Sequence, residues 1–135
     1  MTYIAGPLRR LVWDRAQGRC EYCLFPDAVA FYLHEVDHIV AEKHGGQTVE
    51  SNLCLSCLVC NRHKGSDLVS IDPQTGAITP LFHPRHDRWH EHFHLAGASI
   101  EGTTPQGRTT ARMLHFNDPE QIELRAALMA AGHYP

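Results

Sequence analysis

The stretch HEVDHIVAEKHGGQTVESNLCLSCLVCNRHK, residues 34–64, holds the densest group of side chains suited to chemistry in this sequence. It begins with an Asp37-His38 pair among apolar and β-branched residues, a setting typical of a strand. The Gly45-Gly46 pair then indicates a turn, and Asn52 begins a second short strand-like run. We therefore expect two strands, residues 31–40 and 49–56, joined by a loop at residues 42–47.

Four of the five cysteines form two C-x-x-C pairs. Two thiolates three positions apart can bind one zinc ion, and two such pairs complete a tetrahedral site with four sulfur ligands. Residues 1–12 lack the basic and apolar regions of a secretory signal, which favours a cytoplasmic location and metal binding over disulfides. We predict a structural Zn²⁺ site formed by Cys20, Cys23, Cys57 and Cys60.

Length and charge limit the classes of function. A chain of 135 residues is expected to form one domain, residues 1–135, and it contains no apolar run long enough to cross a membrane. The net charge of −3 does not indicate a tight non-specific binder of nucleic acid. The arginines are nevertheless concentrated in the first 24 residues, so a local basic face is compatible with the sequence.

Elements on both sides of the central stretch complete an α+β fold class. Apolar spacing after Pro7 predicts a helix over residues 7–17, with Gly18 at its C-terminal cap. Two apolar runs around a turn at residues 72–76 predict a hairpin over residues 67–81, and residues 98–102 are expected to form a strand. Two C-terminal helices are expected to start at Thr104 and Asp118, the second with an apolar stripe of Ile122, Leu124, Leu128 and Met129.

The order Asp-His, Gly-Gly, Asn and C-x-x-C-N resembles the HNH endonucleases, a branch of the ββα-metal (His-Me finger) nucleases. This motif-level resemblance covers about residues 19–65 and implies a helix over residues 59–65, which completes the ββα unit. A looser similarity to small bacterial stand-alone HNH proteins extends through D-P-x-T-G and D-R-W. It suggests that a C-terminal extension, residues 66–135, packs on the core. The family pattern has an apolar residue at Cys54, which implies a buried strand residue there; its use as a ligand in place of Cys57 remains open.

The resemblance also implies roles for four polar residues. His38 would be the general base that takes a proton from the attacking water. Asp37 and Asn61 would bind one catalytic Mg²⁺ or Mn²⁺, because hard cations prefer oxygen ligands. Asn52 would hold the loop that carries the histidine. The implied reaction is hydrolysis of DNA phosphodiester bonds that leaves 5′-phosphate and 3′-hydroxyl ends.

Contacts to DNA are the least specific part of the prediction. Lys64 lies one helical turn after Asn61 and could contact phosphate. The other candidates are arginines: Arg19, Arg62, Arg85 and Arg88. His90, His92 and His94 alternate, so a strand would place them on one face as a transition-metal site, together with the nearby His83 and His86. We favour the alternative that this histidine group binds no metal.

Three functions remain open on the sequence: a metal-dependent DNA endonuclease, a catalytically inactive zinc-stabilised nucleic-acid-binding module, and a zinc module for protein interaction. Asp37, His38, Asn52 and Asn61 occurring together favour the first. The sequence does not decide the oligomeric state, although a homodimer would allow single-site chains to cut both DNA strands.

Overall fold

The computed structural model describes residues 2–135 as a chain of short helices and two-stranded sheets. An α+β fold is confirmed. In chain order the elements are α1 (Gly6–Ala16), β1 (Glu35–His38), β2 (Leu53–Ser56), α2 (Leu58–Lys64), β3 (Val69–Ile71), β4 (Ile78–Pro80), α3 (Trp89–His92), β5 (Phe93–Ala96), β6 (Ser99–Gly102), α4 (Pro105–Met113) and α5 (Pro119–Ala130). None of the helices within residues 2–135 has the length and apolar character needed to cross a membrane.

The predicted ββα unit is present at the centre of the chain. β1 and β2 pair antiparallel, with Asp37 opposite Cys54 and His38 opposite Leu53. α2 follows β2 after one residue, Cys57, which is the N-cap of the helix; its Sγ accepts a hydrogen bond from the Cys60 amide at 3.4 Å. The side chain that caps the helix is therefore also one of the clustered thiols.

Both central strands are shorter than the sequence pattern predicted. Residues 31–33 are exposed and precede the strand, whereas residues 50–52 form a single 3-10 turn. Strand propensity over residues 31–33 has no effect because no neighbouring strand pairs with them. The ladder is confined to four pairs of residues.

α1 packs over the ββα unit on the side of β2. Val12 of this helix, Leu53 and Leu55 of β2, and Ile4 form a buried apolar cluster. The helix ends with Gln17 in the left-handed conformation at φ 54°, one residue before the predicted cap Gly18. Arg15 donates to the carbonyl oxygen of Leu53 at 2.8 Å, which fixes the helix against the start of β2.

The C-terminal half forms two further antiparallel pairs, β3–β4 and β5–β6. The hairpin predicted over residues 67–81 and the strand near residues 98–102 are confirmed. α4 lies against β6 where Gly102 and Gly107 meet, since a Cβ on either glycine would overlap the backbone of the other element or of His92. Thr104 caps α4 as predicted, because its hydroxyl accepts a bond from the Gly107 amide at 3.0 Å.

The apolar stripe predicted for α5 is not what anchors this helix. The buried residue of α5 is Arg125, which is 2% exposed, whereas Leu124 is 48% exposed. Arg125 Nε donates to the Ala98 carbonyl oxygen at 2.7 Å, and an Nη contacts the Phe116 carbonyl oxygen. The Asp118 side chain makes no cap hydrogen bond and instead pairs with His115 at 3.0 Å. Polar contacts to loop carbonyls thus hold this helix, while Ile122, Leu128 and Met129 of the predicted stripe are half-buried.

Candidate metal centre and active-site cleft

The four cysteines of the two C-x-x-C pairs form one buried cluster. Their Sγ atoms all lie within 4.8 Å of one another, and the Cys23 and Cys57 sulfurs are 3.7 Å apart. A tetrahedral zinc ion with bonds of about 2.3 Å requires sulfurs roughly 3.8 Å apart. The number, chemistry and spacing of the donors in Cys20, Cys23, Cys57 and Cys60 therefore fit a structural zinc ion. We call these four residues the four-cysteine cluster.

Cys54 is separate from this cluster. It is fully buried in β2, and its Sγ donates to the hydroxyl of Tyr22 at 3.7 Å. Burial raises the pKa of the Cys54 thiol to about 12, so it stays protonated at neutral pH. The prediction that Cys54 is a buried strand residue is confirmed. The alternative that Cys54 replaces Cys57 as a metal ligand is not supported, because Cys57 lies in the four-cysteine cluster and Cys54 does not.

β1 borders a cleft of about 280 Å³ that contains Asp37 and His38. Glu35 on the same strand lines this cleft, as do Glu42 from the following loop and Arg9 from α1. Residues two apart in a strand point to the same face, which brings Glu35 and Asp37 together. One cationic and several anionic groups thus share a cleft open to solvent.

The amide of Asn52 closes the loop that follows β1. Its Oδ1 accepts from the Val40 amide, and its Nδ2 donates to the carbonyl oxygens of Val40 and Gln47, all three at 2.9 Å. Gly46 lies inside this ring, where a Cβ would overlap the Val40 carbonyl oxygen. Asn52 therefore joins both ends of the loop, which is the position implied for it; its part in catalysis stays a prediction.

Thr48 is a contact of His38 that the sequence did not reveal. Its Oγ1 lies 2.9 Å from Nε2 of the imidazole, and Thr48 belongs to the loop that Asn52 holds. Nδ1 has no hydrogen-bond partner within residues 2–135. A lone threonine after a Gly-Gly turn carries no local signal, because its contact to His38 depends on how the loop folds back over β1.

Asn61 on α2 faces Glu35 on β1. Asn61 Nδ2 donates to Glu35 Oε2 at 2.9 Å, and Glu35 is otherwise exposed. A planar amide whose nitrogen is fixed on one carboxylate keeps its oxygen available as an acceptor for a second partner. The contact of Glu35 with Asn61 across to α2 had no sequence signal, because the two residues are 26 positions apart.

Lys64 is buried beside the same cleft rather than exposed to a ligand. It is 3% exposed, and its Nζ donates to the carbonyl oxygen of Ile39 at 2.9 Å. Burial lowers the pKa of the Lys64 amine, while the carboxylate of Asp37 opposes this effect. Burial likewise raises the pKa of Asp37, and the charge of Lys64 counteracts it. The hydrogen bond to Ile39 engages the Lys64 ammonium inside the protein, which disfavours the predicted phosphate contact.

The arginines predicted to contact DNA fall into two groups. Arg62 on α2 and Arg88 before α3 are exposed. Arg85 contacts the Glu21 carboxylate and is mostly buried, and Arg19 is partly buried with its Nη1 enclosed. Burial lowers the pKa of Arg85 to about 10. The pairing of Arg85 with Glu21 disfavours the predicted DNA contact by Arg85.

The histidines of residues 83–94 do not converge on a metal. His90 and His92 lie in α3 and His94 in β5, so the three do not share a strand face. His83 and His86 stack on each other with ring centroids 3.8 Å apart. Within residues 2–135 the four-cysteine cluster is the one group of three or more His, Cys, Asp or Glu ligands close enough to bind an ion.

The β1–β2 sheet, the short helix α2 and the adjoining four-cysteine cluster define a ββα unit with a potential metal site. Residues 20–67 match the family model described as HNH endonuclease, close to the core predicted at residues 19–65. The match covers about a third of the chain, and the matched stretch contains the four-cysteine cluster and the Asp37-His38 pair. Comparisons with curated proteins and with solved structures gave no match.

Proposed function

We propose that the protein is a metal-dependent endonuclease that hydrolyses DNA phosphodiester bonds and leaves 5′-phosphate and 3′-hydroxyl ends. The HNH family indicates nuclease activity in general. The observation that carries the specific proposal is that Glu35, Asp37 and His38 line one cleft, with Asn61 of α2 hydrogen-bonded to Glu35. An inactive zinc module would not need this arrangement.

His38 is the general base of the proposed reaction. In the proposed tautomer, Nε2 of His38 carries the hydrogen and donates it to Oγ1 of Thr48. This leaves Nδ1 to accept a proton from water. The Asn52 ring of hydrogen bonds positions the loop bearing Thr48 and so restricts the rotation of the imidazole. A base held in this way needs no large reorganisation when the substrate binds.

The donor set beside His38 fits a hard divalent cation. The Asp37 carboxylate and the Asn61 carbonyl oxygen are oxygen ligands, and Glu35 orients the Asn61 amide by accepting from its nitrogen. These residues would hold Mg²⁺ or Mn²⁺, which supplies charge stabilisation at the phosphate and the departing oxygen. The sulfur ligands of the four-cysteine cluster are separate and serve the fold.

Arg9 replaces Lys64 as the proposed phosphate contact in the cleft. Its guanidinium lines the cleft with Asp37 and His38, and the ion pairs of residues 2–135 do not include it. A guanidinium can bind two phosphate oxygens at once, which suits it to hold a scissile or neighbouring phosphate. Arg62 is exposed on α2 but does not line this cleft, so Arg9 is the single phosphate contact of the proposal.

Residues 1–135 are proposed to act as a single unit, and contacts between the extension and the zinc-binding loop support this. Trp89 Nε1 donates to the Tyr22 carbonyl oxygen, and the Tyr134 hydroxyl donates to the Cys23 carbonyl oxygen, both at 2.8 Å. Five free cysteines favour a reducing compartment, so we also propose a cytoplasmic location.

A plasmid nicking assay tests the proposal. Zinc-loaded protein is incubated with supercoiled DNA in Mg²⁺, Mn²⁺ or EDTA, beside His38→Ala and Asp37→Ala variants that retain zinc. Metal-dependent nicking that both variants lose is the expected result. Equal nicking by wild type and His38→Ala would refute the assignment of the base, and binding without any cleavage would favour the inactive module.

Arg9 allows a matched comparison within α1. Arg10 is exposed on the same helix but does not line the cleft. Arg9→Ala should lower kcat/KM by about tenfold or more, the loss of one or two charge-assisted bonds, while Arg10→Ala should stay near wild type. Equal effects would show that only the overall charge of α1 matters.

A further inference from the structure

The loop before β1 exposes three large apolar side chains in succession. Phe31 is fully exposed, Leu33 is 79% exposed and Tyr32 is 66% exposed. Val29 and Leu124 add apolar surface nearby, at 42% and 48% exposure. We call these five residues the 31–33 patch. A contiguous apolar surface of this kind on a small protein marks an interaction site.

An apolar cavity of about 230 Å³ lies directly beside these projecting rings. Phe31, Tyr32 and Leu124 line it together with Leu58 and Val59 of α2. A projecting ring next to a cavity of matching chemistry is self-complementary: on rotation by half a turn, the ring of one copy faces the cavity of another. Isologous twofold interfaces require this property.

We propose that the 31–33 patch is a docking surface for a second copy of this chain, which forms a twofold dimer. The exposed side chains of the patch amount to about 600 Å² per chain, given that each large aromatic residue contributes roughly 200 Å². A stable interface uses about 800 Å² per partner, of which the polar rim supplies a part. The apolar area therefore matches the centre of one dimer interface.

Charge around the patch disfavours nucleic acid as the occupant. Glu120 and Glu123 are exposed on α5, one position before Gln121 and Leu124, which line the cavity. Carboxylates there would repel phosphate and anionic lipid headgroups. Arg62 is exposed one helical turn after Leu58 on the other wall, so a twofold arrangement would bring an opposite charge to the acidic rim.

Sedimentation velocity over a range of protein concentrations tests the proposal directly. The wild type should show concentration-dependent dimers. A Phe31→Ser/Leu33→Ser variant should raise the dimer dissociation constant by about tenfold or more, because apolar side chains at an interface centre carry most of its stability. Ile78→Ser is the matched control, since Ile78 is 75% exposed but lies in β4 outside the patch.

Crosslinking gives an independent readout, because the native cysteines are all buried. Phe31→Cys treated with a short bis-maleimide should form a covalent dimer, and Ile78→Cys should not. A wild type that stays monomeric throughout, or a dimer equally weakened by both serine variants, would overturn the proposal. Loss of duplex or vesicle binding in the patch variant of a monomeric protein would assign the surface to nucleic acid or membrane instead.

Discussion

Replacing Asn52 by alanine should loosen the loop that holds His38 in place. The change removes the three hydrogen bonds that the amide makes to Val40 and Gln47. It leaves the amide and carbonyl of Val40 without partners at a half-buried position. Thr48 then lies on a loop that is no longer fixed to β1.

The expected loss of stability follows from these bonds. Each contributes about 0.5–1.5 kcal/mol net, and an unpaired buried group costs about 1–3 kcal/mol. The bond to Gln47 is exposed and is expected to contribute least. We expect Asn52→Ala to lower the free energy of unfolding by about 2–3 kcal/mol. Asn52→Asp should not retain the wild-type stability, because a carboxylate oxygen would replace Nδ2 and face the carbonyl oxygens of Val40 and Gln47.

Urea unfolding and plasmid nicking measure the two consequences separately, with zinc content determined for every variant. Ser51→Ala is the control, since Ser51 is exposed next to Asn52. Nicking by Asn52→Ala should fall more than its folded fraction does, because the imidazole loses its support. A stability change under about 0.5 kcal/mol together with full activity would refute the reasoning about this loop.

Three further predictions concern the loop, the zinc ligands and the hairpin. Gly46→Ala should lower the melting temperature more than Gly45→Ala, because a Cβ at Gly46 would overlap Val40. A Cβ at Gly45 would meet open space, although the positive φ of 89° at Gly45 is itself unfavourable for alanine. The reverse order would contradict the loop geometry. Cys60→Ser should bind less than the one zinc ion per chain expected of the wild type, and it should be less stable. Metal analysis measures the zinc content, and full retention of zinc would argue against the predicted zinc site. Arg108 holds the pKa of Asp72 well below its usual range, so the ion pair stabilises the fold at neutral pH and this contribution is lost as the pH falls below about 4. Asp72→Asn should therefore be less stable at neutral pH and lose less stability on acidification in urea titrations, and parallel pH profiles would show that the pair contributes nothing.

Local sequence signals predicted the elements whose cause is local. Pro7 and Thr104 mark the starts of α1 and α4 because a first-turn proline and a hydroxyl cap act on their own helix. The hairpin around residue 72 follows from its turn residues in the same way. Residues 31–33 show the limit, because a strand forms only where a neighbour pairs with it, and here β2 ends too early.

The four-cysteine cluster was predictable from short spacings in the sequence. Two C-x-x-C pairs can form one tetrahedral site wherever the fold brings them together, and the structure does bring them together. Charged residues gave no such signal. The sequence does not distinguish Lys64 and Arg85 from basic residues that are exposed. In the structure, each contacts a residue that is distant along the chain.

By itself, the sequence determined the α+β class, the ββα order and the grouping of the four cysteines, because each depends on residues that are close together or paired by spacing. The tertiary structure decided which polar groups support them: Thr48 on His38, Glu35 on Asn61, Arg9 in the cleft and Arg125 under α5. These contacts join segments that meet only after the loops and helices have packed. Their partners are set by distance in space and by burial, which neither residue type nor local spacing records.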